Sequence, residues 1–254
     1  MPLRVVISGA SSGLGLALAT HYLQQGAHVA ACARRADPLQ TLAEQFPGQV
    51  SCYALDVRDT AALQSAAQDF ITRVGVPDIV IANAGVSSGT LTEYAEDVQA
   101  FQQVMDINVM GVVKTFQPFI SAMRKAGCGT LVGVASVAGF RGLPGAGAYS
   151  ASKAALISYL ESLRVELHGS GISVVTLCPG YIETPMTAIN PYTMPFILPA
   201  DEAASRIARV IKARKAFAVV PWQMGLIGSL LKILPNRLYD SVFSKVKHKP
   251  RGLL

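Results

Sequence analysis

Three glycines, Gly9, Gly13 and Gly15, separate an apolar run at Val5-Val6-Ile7 from a segment that reads as a helix. A strand, a glycine-rich turn and a helix in that order, close to the first residue, admit few folds. Glycine allows tight turning and close approach of the backbone to a bound group. The N-terminus of a helix presents free N–H groups and partial positive charge. The stretch Ser8-Gly9-Ala10-Ser11-Ser12-Gly13-Leu14-Gly15 therefore suits the pyrophosphate of a dinucleotide. A glycine turn alone is a weak sign; its place after a strand strengthens it.

The rest of the chain alternates in the same way. Strands are expected at Leu3 to Ile7, Ala27 to Ala33, Val50 to Leu55, Ile79 to Ala82, Thr130 to Ala135, Ile172 to Leu177 and Phe217 to Val220. Helices are expected at Gly15 to Gln25, Pro38 to Phe46, Thr60 to Val74, Val98 to Lys125 and Tyr149 to His168, the first stopped by Gly26 and the second by Pro47-Gly48. Short apolar strands between helices imply a parallel sheet covered on both faces, here a Rossmann-like, doubly wound α/β sheet of about seven strands. With 51% apolar and 15% charged residues the 254-residue chain can bury a large core, and no linker or repeat divides it, so one domain over 1–254 is expected. No charged leader precedes a long apolar region, so no signal peptide is expected, and a cytoplasmic location is. Cys32, Cys52, Cys128 and Cys178 are scattered and read as buried free thiols.

The end of the second strand bears on the cofactor. An acidic residue there would bond the ribose 2′-OH of NAD. The sequence has instead Ala31-Cys32-Ala33-Arg34-Arg35, and two guanidinium groups suit a 2′-phosphate. NADP(H) is the expected cofactor, with Asp37 near enough to compete for one arginine. Asp56, after the third strand, could accept from the adenine amino group, with Val57 contributing its backbone.

Ser136, Tyr149 and Lys153 stand as S-x12-Y-x3-K. Tyr149 and Lys153, four apart, share one helix face. A phenol has an ordinary pKa of about 10, and a neighbouring cation draws it toward neutrality. That pairing suits proton transfer accompanying a hydride.

Together these residues resemble the short-chain dehydrogenase/reductase family over residues 3 to about 185. Ser8 to Gly15 is similar to the family's T-G-x3-G-x-G turn, with serine for threonine. Asn83-Ala84-Gly85 matches its N-A-G motif, and Pro179-Gly180 with Thr184 its P-G-x3-T segment. Asn108 falls where the family has a fourth catalytic residue. The resemblance implies that Ser136 hydrogen-bonds the substrate oxygen, that Tyr149 is the general acid/base, and that Lys153 binds ribose and lowers the tyrosine pKa. It implies that Asn108 supports a water leading from Lys153 to solvent, and that Gly180, Ile182 and Thr184 position the carboxamide. Ser12, Leu14 and Asn83 would line the cofactor path. The implied activity interconverts a carbonyl and an alcohol; the alternative is a non-catalytic dinucleotide-binding regulator or a membrane-surface scaffold.

Val86, Val137, Phe140, Leu143, Tyr181, Met186 and residues 194–198 suggest an apolar pocket wall, with the proline-interrupted 184–200 stretch as a lid. Arg141 and Tyr181 either touch substrate or serve structural roles. The four histidines show no ligand spacing, and no metal is expected. The family's common Asp-Gly-Gly ending is absent, and a dimer through helices 98–125 and 149–168 is favoured over a tetramer. Residues 221–254 form an apolar and then basic extension. Net charge is +6, much of it from Lys232, Arg237, Lys245, Lys247, Lys249 and Arg251, while the rest of the chain is near neutral, which argues against nucleic acid. The apolar stretch 221–234 is too short to span a bilayer; residues 226–234 with the basic end either rest on a membrane surface, cover the substrate mouth, or pack on the protein's own body.

Overall fold

Seven short strands, most of them runs of Val, Ile, Leu and Ala, carry apolar side chains on both faces and so must be covered twice. In the computed structural model, which describes residues 1–246 and 248–252, they form one parallel sheet in the order β3-β2-β1-β4-β5-β6-β7. Lys247, counted above in the basic tail, lies outside the described residues. The strands are β1 (Arg4–Ser8), β2 (His28–Ala33), β3 (Val50–Ala54), β4 (Ile79–Ala82), β5 (Gly129–Val134), β6 (Ile172–Pro179) and β7 (Phe217–Val220). The order reverses between β1 and β4, where Ser8 is paired with Ala82. A crevice at that switch point, beyond the carboxyl ends of the strands, is where this class of sheet binds ligands.

Helices α1 (Gly13–Gln24), α2 (Asp37–Gln45) and α8 (Ala200–Lys212) cover one face, with Leu18, Leu23, Leu39 and Ile207 in its core. Helices α3 (Thr60–Arg73), α5 (Gly111–Ala126) and α6 (Gly147–Glu166) cover the other through Phe70, Phe116, Leu156 and Leu160. Phe70 and Phe116 are fully buried, each contributing about 2–3 kcal/mol of apolar transfer. Local signals set the helix ends: the Asp59 carboxylate caps α3 by accepting from the Ala62 amide at 3.0 Å, and Gly127 closes α5 in the left-handed region.

The structure departs from the sequence reading in several places. Beyond the short α7 (Pro185–Ala188) in the expected lid, helix α8 lies between that lid and β7, where no element was expected. The expected 98–125 helix is divided: α4 (Glu96–Met105) and α5 are joined by a π-helical turn, Asp106–Met110. Two of the four cysteines, Cys52 and Cys128, are exposed rather than buried. Arg141, open to substrate contact or to a structural role, has the structural one: its guanidinium donates to the Leu231 and Leu234 carbonyls and to Asn236 Oδ1, and lies 3.9 Å from the centre of the Tyr239 ring. It fastens α9 (Trp222–Ile233) and α10 (Asn236–Phe243) to the body. Phe140, expected in the pocket wall, packs under α9 against Gly228 and stacks on Phe217 at 6.0 Å.

Candidate active site

The turn after β1 works because three side chains are missing. Gly9 (φ 73°) and Gly13 (φ 54°) sit in the left-handed region that glycine enters freely. A Cβ on Gly9 would come within 2.8 Å of the Ala84 Cα, and one on Gly15 would overlap the Gly9 carbonyl oxygen. The Ser8 hydroxyl accepts the amides of Asn83 and Ala84, each at 3.2 Å, and the Asn83 side-chain amide donates back to the Ser8 and Gly9 carbonyls. These bonds tie β1 to β4 across the switch point. Ser12, the N-cap of α1, makes no capping bond with its side chain, so the first amides of that helix remain available to an anion.

A cleft of about 670 Å³ runs along these carboxyl ends. All the dinucleotide-binding residues expected from sequence line it: Gly9, Ser11, Ser12, Gly13, Leu14, Gly15, Arg34, Arg35, Asp56, Val57, Asn83, Ala84, Gly85, Tyr149, Lys153, Pro179, Gly180, Ile182 and Thr184. Ser136 joins them. The cradle that an extra Cβ would fill, the open amides of α1 and the length of the cleft fit a dinucleotide. Pro185 and Thr187 of the expected 184–200 lid also line the cleft, while sequence reasoning missed five further residues: Ala33, Leu55, Ile107, Val134 and Ala135. These five are apolar residues at or near strand ends or on the π turn, and no motif marks them. Of the expected apolar wall, Val86 and Met186 are present in the lining.

At the second strand's end, Arg35 donates to the Ser11 carbonyl and hydroxyl oxygens, both at 3.3 Å, and both arginines are exposed. Among the described residues no ion pair joins either to Asp37. Asp56 is gripped by Arg58, with bonds of 2.7–3.2 Å to both carboxylate oxygens, and that guanidinium holds its pKa below the usual value.

The residues expected to carry the proton transfer come from two places, the end of β5 and the start of α6. Ser136 follows β5, and its Oγ accepts the Ala138 amide at 3.1 Å. Tyr149 and Lys153 lie in the first two turns of α6. The Lys153 ammonium, 5.6 Å from the centre of the Tyr149 ring, donates to the Val134 carbonyl at 2.8 Å. Burial lowers Lys153 to about 8. The sequence reading had the ammonium pulling the phenol down. In this arrangement burial of the hydroxyl dominates and raises the Tyr149 pKa, and a hydrogen bond with Ser136 offsets only part of that rise. The ammonium is turned to the Val134 carbonyl, and a phenol so placed stays protonated near neutrality.

Asn108 does not line the cleft but stands behind it, fully buried on the π turn. Its Oδ1 accepts the Val86 amide at 2.8 Å, and its Nδ2 donates to the Val86 carbonyl and the Ser152 hydroxyl, both at 3.0 Å. A Cβ on Gly85 would lie 3.2 Å from Asn108 Oδ1 and 3.6 Å from Lys153 Nζ, so both polar groups close on one glycine.

Residues 4–193 match the family model described as short chain dehydrogenase, and the chain belongs to that family. An uncharacterized oxidoreductase from Myxococcus xanthus is 36% identical over 95% of this chain and 96% of its own length. A 2-dehydro-3-deoxy-L-rhamnonate dehydrogenase (NAD(+)) from Sphingomonas is 36% identical over 71% of this chain and 72% of its own. Among solved structures, the alcohol dehydrogenase from Thermococcus sibiricus complexed with 5-hydroxy-NADP superposes with a TM-score of 0.76 at 25% identity, covering 86% of this chain and 96% of that one. These relationships support an oxidoreductase of the dehydrogenase/reductase type that binds a nicotinamide dinucleotide.

Proposed function

We propose that this protein is an NADP(H)-dependent oxidoreductase that interconverts a carbonyl and an alcohol on an apolar small molecule, with Tyr149 as general acid and base. The observation that carries the reading is the convergence of Ser136, Tyr149 and Lys153 on the cleft that the glycine turn also lines. The dinucleotide, when bound, supplies or accepts the hydride. Gly9 to Gly15 and the N-terminus of α1 hold its pyrophosphate; Lys153 holds ribose; Gly180, Ile182 and Thr184 position the nicotinamide side. Arg34 and Arg35, exposed in the cleft lining just after β2 where an NAD site would carry its acid, favour the 2′-phosphate. The Ser136 hydroxyl holds the substrate oxygen. The raised pKa of Tyr149 keeps its proton in place, ready for donation at the phenolic oxygen in the reductive direction. Asn108, through Val86 and Ser152, keeps the floor of the site in register. Val86 and Met186 give an apolar wall, and residues 184–200 act as the lid.

Exposed Val98, Phe101, Met110 and Val165 on α4, the π turn and α6 support a dimer through these helices. The functional reading is tested by a screen of apolar ketones with NADPH and NADH, followed by reduced-nicotinamide absorbance. Turnover of at least one ketone with NADPH in clear preference to NADH is expected. Tight dinucleotide binding with no turnover across the panel would count for a non-catalytic binder.

A further inference from the structure

Helix α9 is apolar on two faces. Its inner face packs on the body: Met224 lies against Gly180 in the cleft wall, and Gly228 against Phe140. Its outer face carries Trp222, Leu226, Leu230 and Ile233, at intervals of four, four and three residues, with 62–78% of each residue exposed. That spacing is one continuous helical stripe. Lys232 and Arg237, both exposed, flank its C-terminal end, and no acidic residue occurs between Glu202 and Asp240. On α10 the apolar residues Leu238 and Val242, one turn apart, are also exposed, beside Asp240, the one acid of that helix. Monomeric proteins rarely leave so many large apolar side chains on one short element uncovered.

We propose that α9 is a membrane-docking element that lays its outer stripe on an anionic lipid surface, with Lys232 and Arg237 meeting the headgroups. The choice of lipid over a second copy of the chain rests on charge. An apolar stripe rimmed by cations complements an anionic bilayer, whereas a self-complementary contact would bring like charges together. No helix among the described residues is long and apolar enough to cross a membrane, so the contact is with the surface. Because Met224 on the same helix backs the cleft wall, docking sets the cleft beside the lipid.

The chain contains a single tryptophan, Trp222, and it sits on the stripe, so the protein carries its own probe. Full-length protein is floated with vesicles of phosphatidylcholine alone and of phosphatidylcholine with phosphatidylglycerol, while Trp222 emission is read. Flotation with the anionic vesicles, a blue shift, and roughly tenfold weaker binding to neutral vesicles or in high salt are expected. Leu226→Asp with Leu230→Asp removes binding, and Lys232→Glu with Arg237→Glu lowers it by at least about tenfold. These side chains are exposed, so thermal melting should be unchanged in both variants. No flotation of the wild-type chain, or full flotation of the Leu226→Asp/Leu230→Asp variant, overturns the proposal. So does a fall in oligomer size of that variant in ultracentrifugation without any vesicle binding by the wild type, which assigns the stripe to a contact between copies. None of these readouts depends on turnover.

Discussion

The Lys153 ammonium donates to the Val134 carbonyl at 2.8 Å inside the core, so the cation expected to serve the phenol is held by the end of a strand. Its burial cost shows in the ammonium itself, lowered from 10.5 to about 8. A lysine with a depressed folded-state pKa binds fewer protons in the fold than in the unfolded chain between those two values. The destabilisation is therefore full below about pH 8 and is relieved as pH rises toward 10.5. Lys249, also lowered to about 8, adds a similar slope to the wild type and to variants at 153. Replacing Lys153 by Met should remove its share. The unfolding free energy of the variant minus that of the wild type should fall by about 2–3 kcal/mol between about pH 7 and about pH 10. Urea melts at the two pH values measure it; a constant difference would show that Lys153 titrates normally.

Asn108 satisfies four polar groups at once from a fully buried position: its own amide, both main-chain polar groups of Val86, and Ser152. Asn108→Ala leaves the Val86 pair unpaired and should cost about 2–3 kcal/mol of stability, together with a drop in kcat larger than any change in KM for dinucleotide. A loss under about 0.5 kcal/mol in denaturant melts would mean that the bonds are replaceable by water.

Two glycines, Gly26 in the left-handed region and Gly15 inside α1, should respond differently to alanine. Gly26 (φ 79°) has nothing within 4 Å of an added Cβ, so Gly26→Ala should cost only the backbone strain, about 1–2 kcal/mol, and leave dinucleotide binding intact. Gly15, where the Cβ would overlap the Gly9 carbonyl oxygen, cannot accept it without moving the turn. Gly15→Ala should weaken dinucleotide binding by at least about tenfold, read by calorimetry. Equal binding by both variants would separate the turn from the cofactor.

What the sequence showed depended on how local the cause was. Runs such as Val5-Val6-Ile7 and Ile79-Val80-Ile81 made the sheet legible, and their glycine and asparagine neighbours placed one end of the cleft. Helix α8 was missed because its core face is mostly alanine: Ala203, Ala204 and Ala208 with Ile207 and Ile211. Asp201 and Glu202 in its first turn, after Pro199, were the available start signal. The π turn inserts one residue into a helical pattern and leaves no mark in composition, yet it carries Asn108. The role of Arg141 stayed open because its partners lie about 90 residues later, and Lys153 looked like the phenol's partner because a main-chain carbonyl has no sequence signature.

Arg34 and Arg35 bear on cofactor choice. Arg35 already donates to Ser11, while Arg34 makes no ion pair among the described residues. Arg34→Ala should weaken NADPH by roughly tenfold to a hundredfold, the range for a lost charge-assisted hydrogen bond, with little effect on NADH. Equal losses for the two dinucleotides, titrated by nicotinamide fluorescence, would contradict the 2′-phosphate reading.

In the proposed chemistry the phenolic oxygen of Tyr149 moves the proton. The most direct measurement is single-turnover reduction of a ketone accepted by the wild-type chain, using Tyr149→Phe with NADPH bound. The variant should bind NADPH within about threefold of wild type and lose at least about a thousandfold in the chemical step. A variant that still reduces the ketone at a comparable rate would place the proton donor elsewhere in the cleft.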